Sequence, residues 1–146
     1  METKDISYFD LSLRAFLREY HPDLVNNVNF VSSRAEEAEV IYNKQMEENG
    51  NTVLALEEAN QILFAGLNFS KLSFLKDVLE NEFFLEVQKE DIETKSLSYF
   101  EQKEVQDIFN KYALTDDFEE DEERYQMLYN EITGIIYIQF EKSNGV

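Results

Sequence analysis

Apolar residues along this chain recur at steps of three and four, the spacing that places them on one face of an α-helix. Phe9, Leu13, Phe16, Leu17 and Tyr20 make the first such stripe. Ser7 and Asp10 form an S-x-x-D capping signal ahead of it, and Pro22 disfavours helix at His21, so a helix is predicted from Ser7 to about His21. A second is predicted over Phe30–Asn49, with Val31, Ala35, Ala38, Tyr42 and Met46 on one face and Gly50 suited to the position just past its end. A third covers Val53–Leu67 and is striped by Leu56, Ala59, Leu63 and Leu67. Ser70 caps a fourth that carries Leu72, Leu75, Leu79 and Phe83. A fifth runs over Asp91–Tyr112 with Leu97, Phe100, Ile108, Phe109 and Tyr112.

The last segment is ambiguous in pattern. Tyr125, Leu128, Ile132 and Ile135 keep helical steps, yet GIIYIQF (Gly134–Phe140) is rich in residues that favour strands. A lone strand would find no partner elsewhere in the sequence, so a buried helix is predicted there. Breakers are few: one proline, Pro22, and four glycines, Gly50, Gly66, Gly134 and Gly145. Six helices with short connections imply an all-α, single-domain bundle over residues 1–146.

Composition agrees with a packed domain. The chain has 146 residues, 43% of them hydrophobic and 14% aromatic, enough for a core despite 30% charged residues. There is no cysteine, which excludes disulfides and thiolate metal sites. The start, METKDISYFD, lacks the basic and apolar regions of a signal peptide, and no apolar run approaches the roughly 18 residues of a membrane span. A cytoplasmic protein is expected.

Charge changes the picture most. The formal net charge is −18, from 31 acids against 13 Lys and Arg. Nucleic-acid binding draws most of its affinity from neutralised phosphates, so direct binding is not expected. The field would steer a basic partner.

The acids concentrate in TDDFEEDEERY, Thr115–Tyr125, where Asp116, Asp117, Glu119, Glu120, Asp121, Glu122 and Glu123 crowd around Phe118. Asp117, Glu119, Asp121 and Glu123 alternate as in a calcium loop, but no glycine falls between Gly66 and Gly134 to make its sharp turn. A solvated helix entrance fits better: acids in a first turn meet the positive end of the helix dipole, and Glu120 can pair with Arg124 four residues on. Seven crowded acids still repel one another, so stability alone does not explain their number. A docking patch for a basic partner does.

Other chemistry is sparse. His21 is the only histidine, so neither a pair of Glu-x-x-His motifs nor H-E-x-x-H can be built, and it reads as a turn residue between helices. No G-x-S-x-G elbow and no glycine-rich phosphate loop occurs. Arg14 and Arg18, four apart on the first helix, are expected to pair with acids within the fold. Adjacent acids such as Glu36–Glu37 and Glu57–Glu58 point about 100° apart on a helix and do not converge. Tyr8, Phe74, Tyr99, Tyr129 and Tyr137 lie off the main stripes, where they either widen the core or mark an interface.

Three strings also occur together: SYFDLSLRAFLREYHPDL (Ser7–Leu24), GLNFSKLSFLKDVLENEF (Gly66–Phe83), and YALTDDF with its following LYNEITGII (Tyr112–Ile136). With them the chain resembles a domain-of-unknown-function family of small acidic proteins carried on conjugative mobile elements of anaerobic gut and oral bacteria. The resemblance implies an all-helical fold and an accessory role on a mobile element. It brings no catalytic residue with it.

Taken together, the reading is a non-enzymatic interaction protein, without a cofactor, that docks a basic protein through Asp116–Glu123. One alternative is a nucleic-acid mimic that occupies the basic groove of a DNA-binding or restriction protein, which asks for carboxylates in rows along one face. Another is a carboxylate-based protein or enzyme that binds a divalent metal.

Overall fold

Short polar side chains at the turns set where the helices begin. In the computed structural model, which describes residues 7–144, the first helix (α1, Tyr8–Tyr20) opens at Ser7, whose Oγ accepts the Asp10 N–H at 3.1 Å. Asn27 opens α2 (Val28–Asn49) and Asn51 opens α3 (Thr52–Leu63), each accepting a first-turn N–H at 3.1 Å. Ser70 opens α4 (Lys71–Glu82), accepting from Ser73 at 3.0 Å. Each cap satisfies an N–H that the helix cannot bond internally, worth about 1 kcal/mol. A 3-10 turn, Lys89–Asp91, precedes α5 (Ile92–Phe100) and α6 (Lys103–Phe109), and a second, Phe118–Glu120, precedes α7 (Glu122–Asn144). The described residues are all-α, with seven helices and no strand. None of these helices is long and apolar enough to cross a membrane.

The contacts gather into two compact units, the first ending at Leu67 and the second starting at Asn68. In the first, α1 packs on α2 and α2 on α3. Phe9, Leu13 and Leu17 meet Val31, Ala35 and Ala38 of α2 and Ala59 and Leu63 of α3. Gly50 ends α2 with φ 65°, a conformation that costs glycine little, as its position after the stripe suggests.

Two polar ties hold the end of α3. Arg34 Nη1 donates to the Ile62 and Leu63 carbonyls at 3.3 and 3.1 Å, with its guanidinium 4.8 Å over the Phe30 ring. These carbonyls lie at the end of the helix and carry the negative end of its dipole, which a cation suits. His21 is the turn histidine expected. Its backbone N–H bonds Leu17 O at 2.8 Å, and its buried Nε2–H donates to the Leu67 carbonyl at 2.9 Å.

In the second unit, α4 packs on α5 and α7, and α6 on both α5 and α7. Leu75, Val78 and Leu79 of α4 meet Phe100 of α5, Val105 and Phe109 of α6, and Leu128, Ile132 and Ile136 of α7. Gln102 and Gln139 exchange amide hydrogen bonds at 3.0 and 2.6 Å, tying the α5–α6 turn to α7.

Three elements differ from expectation. The helix predicted over Asp91–Tyr112 is two, broken at Glu101 and Gln102. The cause is geometric. At about 100° per residue, Phe100 and Phe109 would point to opposite sides of one straight helix. The break lets both enter the core, and the Gln106 side chain donates to the Phe100 carbonyl at 2.7 Å. The third helix ends at Leu63 instead of Leu67, and Gly66 at φ 79° turns the chain so that Leu67 is still buried. Gly134–Phe140 is helical as predicted but buried on one side only. Ile136 continues the Leu128–Ile132 stripe, while Tyr137 and Ile138 are 56% and 53% exposed.

Phe109, fully buried, is expected to lose about 3–5 kcal/mol of unfolding free energy on change to alanine. Tyr137→Ala, on the exposed side of α7, is expected to stay within about 0.5 kcal/mol of the parent in the same urea titrations.

Candidate functional site

The acidic segment is built around its one apolar residue. Phe118 is 4% exposed and packs on Phe69, Tyr112 and Tyr125 at ring distances of 5.3, 6.0 and 6.3 Å. Successive bonds from Phe118 N to Thr115 O, Glu120 N to Asp117 O and Asp121 N to Phe118 O, at 3.0, 3.0 and 3.1 Å, curl the chain into a 3-10 turn about that anchor.

Several of the seven acids have structural duties. Asp116 Oδ1 accepts the Asn68 N–H at 2.9 Å while its carbonyl accepts from Asn68 Nδ2 at 2.8 Å, which latches the segment to the chain ahead of α4. Asp117 Oδ1 accepts from Thr115 Oγ1 at 2.5 Å. Asp121 accepts the Arg124 N–H at 3.2 Å and so caps α7, and its other oxygen lies 3.5 Å from the Arg124 guanidinium. Arg124 therefore pairs with Asp121, three residues away, instead of Glu120 as expected. Glu122 and Glu123 occupy the first turn of α7 and face the positive end of its dipole. The helix-entrance reading holds for these residues. Glu119 and Glu120 are exposed on the 3-10 turn and bonded to no described side chain.

Glu119 joins residues that the sequence pattern did not connect to it. Tyr125 and Tyr129 of α7 are half-buried, with ring centroids 6.3 Å apart and planes at 29°, and both set an edge against Phe74. Tyr129 Oη donates to Glu82 Oε2 of α4 at 2.9 Å. Asp77, also on α4, is held above the usual carboxylate range by burial, then by the charges of Glu80 and Glu119. Burial pushes the Tyr125 hydroxyl up, and the Glu119 and Asp77 charges push it further. Glu82 thus bonds one of the two tyrosines, and the charges of Asp77 and Glu119 act on the other. Asp77 and Glu82 lie some forty residues before the acidic segment, and only their place on the solvent side of α4 could have signalled them.

A neighbouring cluster is internally neutralised. Glu131 accepts from both Lys111 Nζ and Tyr112 Oη, and these bonds hold its carboxyl below the usual range. Among the described residues no three carboxylate or histidine side chains converge as metal ligands, the alternating Asp117, Glu119, Asp121 and Glu123 included. Arg14 pairs with Asp10 at 2.7 Å, as expected, whereas Arg18 is exposed in the last turn of α1, where a cation suits the dipole. Of the aromatics off the stripes, Phe74 and Tyr99 are core, Tyr129 is half-buried, and Tyr8 and Tyr137 are exposed.

The sequence matches the family model described as "Domain of unknown function (DUF1896)" over residues 1–146. The structure is similar to the crystal structure of protein PG0816 from Porphyromonas gingivalis, at 35% identity and a TM-score of 0.86, with 94% of this chain and 92% of that one covered. No curated protein matches the sequence significantly.

Two tests follow from this geometry. Phe118→Ala is expected to cost about 3–5 kcal/mol. Asp121→Ala, the loss of a cap, should cost about 1 kcal/mol. The second test concerns pH. The Tyr112 and Tyr129 hydroxyls are each pushed up to about 12, by burial first and by their bonds to Glu131 and Glu82 second. An unfolded tyrosine loses its proton near pH ~10, so between about pH 10 and 12 the unfolded state binds fewer protons and stability falls as pH rises. Tyr112→Phe and Tyr129→Phe should each make the urea midpoint less sensitive to pH across that window. Equal sensitivity in parent and variants would contradict the assignment.

Proposed function

The chain belongs to the DUF1896 family, and we propose that it is a non-enzymatic interaction protein that docks a basic partner on the acidic, tyrosine-bearing face of its second unit. One observation supports this reading: Glu82 of α4 accepts from Tyr129, whose ring stacks with that of Tyr125, and the charges of Asp77 and Glu119 both act on the Tyr125 hydroxyl. Carboxylates brought together beside partly buried rings raise each other's energy, and a lysine or arginine seated there relieves that repulsion. The same cation gains contact with the aromatic faces. Glu120, Glu122 and Glu123 extend the charge next to this face and would speed encounter with a basic surface.

The acids of 116–123 curl around a single turn instead of forming a row, which favours docking of a local basic segment over mimicry of a nucleic-acid backbone. The accessory role on a conjugative element belongs to this proposal and rests on the resemblance of the sequence strings; a cytoplasmic setting belongs to it as the expectation taken from the sequence.

Fluorescence anisotropy with a labelled, unstructured arginine-rich peptide tests the site. Asp77→Asn with Glu82→Gln and Glu119→Gln is expected to weaken binding about tenfold or more, and binding to the parent should decline steeply with salt. Equal affinity for parent and triple variant would sink the proposal.

A further inference from the structure

The hairpin of α2 and α3 has two faces, and α1 covers only one of them. Phe9, Leu13 and Leu17 of α1 fill the side that carries Val31, Ala35 and Ala38. Away from α1, an open groove of about 520 Å³ runs along the hairpin, lined by Ser33, Glu36, Glu37, Val40 and Ile41 of α2 and Ile62 of α3. Part of its lining is apolar. Val40 is 64% exposed, and Ile41 and Ile62 are only half-buried. Its rim is acidic: Glu36 and Glu37 are exposed and paired with no cation among the described residues. Arg34, the basic residue nearest in sequence, is spent on the Ile62 and Leu63 carbonyls.

We infer that this groove docks an amphipathic helix edged with lysine or arginine. Three features select that occupant. Ser33, Glu37 and Val40 follow at steps of four and three, so they share one side of α2 and offer a ridge to a helix laid alongside. From Ser33 to Ile41 the groove spans about 12 Å of helix, room for two turns of a partner and thus for apolar anchors at i and i+3 or i+4. The carboxylate rim then meets basic residues flanking those anchors, while an acidic or neutral helix would leave Glu36 and Glu37 partly desolvated without a partner. The groove lies wholly in the first unit and stands independently of the tyrosine face of the second.

Methyl-labelled NMR on the full chain tests this directly. The probe is a synthetic helical peptide of about four turns with leucines along one face and lysines on its edges. It is run beside a peptide of the same leucine pattern with glutamates on the edges, and beside a scrambled peptide of the basic composition. The basic amphipathic peptide is expected to shift the Val40, Ile41 and Ile62 methyls saturably, and the other two are expected not to. Val40→Asp should weaken that binding about tenfold, and Glu36→Gln with Glu37→Gln should weaken it severalfold and reduce its salt dependence. Val40 is exposed, so the fold survives this change, and Val40→Lys gives a second reading if aspartate behaves atypically. Shifts confined to Asp77–Tyr129 would overturn the groove and leave the second-unit reading standing. Equal binding by the scrambled peptide, or unchanged affinity in both Val40 variants, would overturn it as well.

Discussion

Phe118 must be buried although nearly every residue around it must not be. That opposition shapes the second unit. A run of charged residues cannot enter a core, and a phenylalanine within it contributes a few kcal/mol only if it does. The chain resolves the conflict with one tight 3-10 turn that sends the ring inward against Phe69, Tyr112 and Tyr125 and leaves the carboxylates in water. Once the ring is fixed, the rest follows. Asp116 is in reach of Asn68, Asp121 stands at the head of α7, and Glu119 comes near Asp77.

The fold was largely legible because its signals are local. Ser7, Ser70 and Gly50 mark helix ends by chemistry that acts within four residues, and Leu72, Leu75 and Leu79 show their face by spacing alone. The break after Phe100 was not legible, since no glycine or proline marks it. It answers a tertiary demand, that Phe100 and Phe109 reach one core. The limited burial of Gly134–Phe140 escaped for a related reason: β-branched and aromatic residues stand on both sides of α7, and only packing shows that Ile136 faces in while Tyr137 and Ile138 face out.

The candidate site was half legible. The charge run announced itself, but its apparent unity dissolves in the structure into caps, latches and solvent-facing side chains. What gives Glu119 company is Asp77 on α4 and the Tyr125–Tyr129 pair on α7, residues far apart in sequence that share a face only after folding. The same limit hid the groove on the first unit. Glu36 and Glu37 point apart as neighbours on a helix, yet both border one concavity once α3 lies beside α2. Both surfaces pair carboxylates with apolar area, the combination that a basic amphipathic partner answers and a bare phosphate or membrane does not.

The most direct measurement is affinity capture from host lysate at low and moderate salt, with the parent chain beside a variant that neutralises Asp77, Glu119, Glu120, Glu122 and Glu123 and keeps Asp116, Asp117 and Asp121 in their structural roles. A specific basic protein held by the parent, weakened by salt and lost with the variant, is the expected result. The same proteins on both baits would contradict the account and reduce TDDFEEDEERY to a solvated turn that positions a helix.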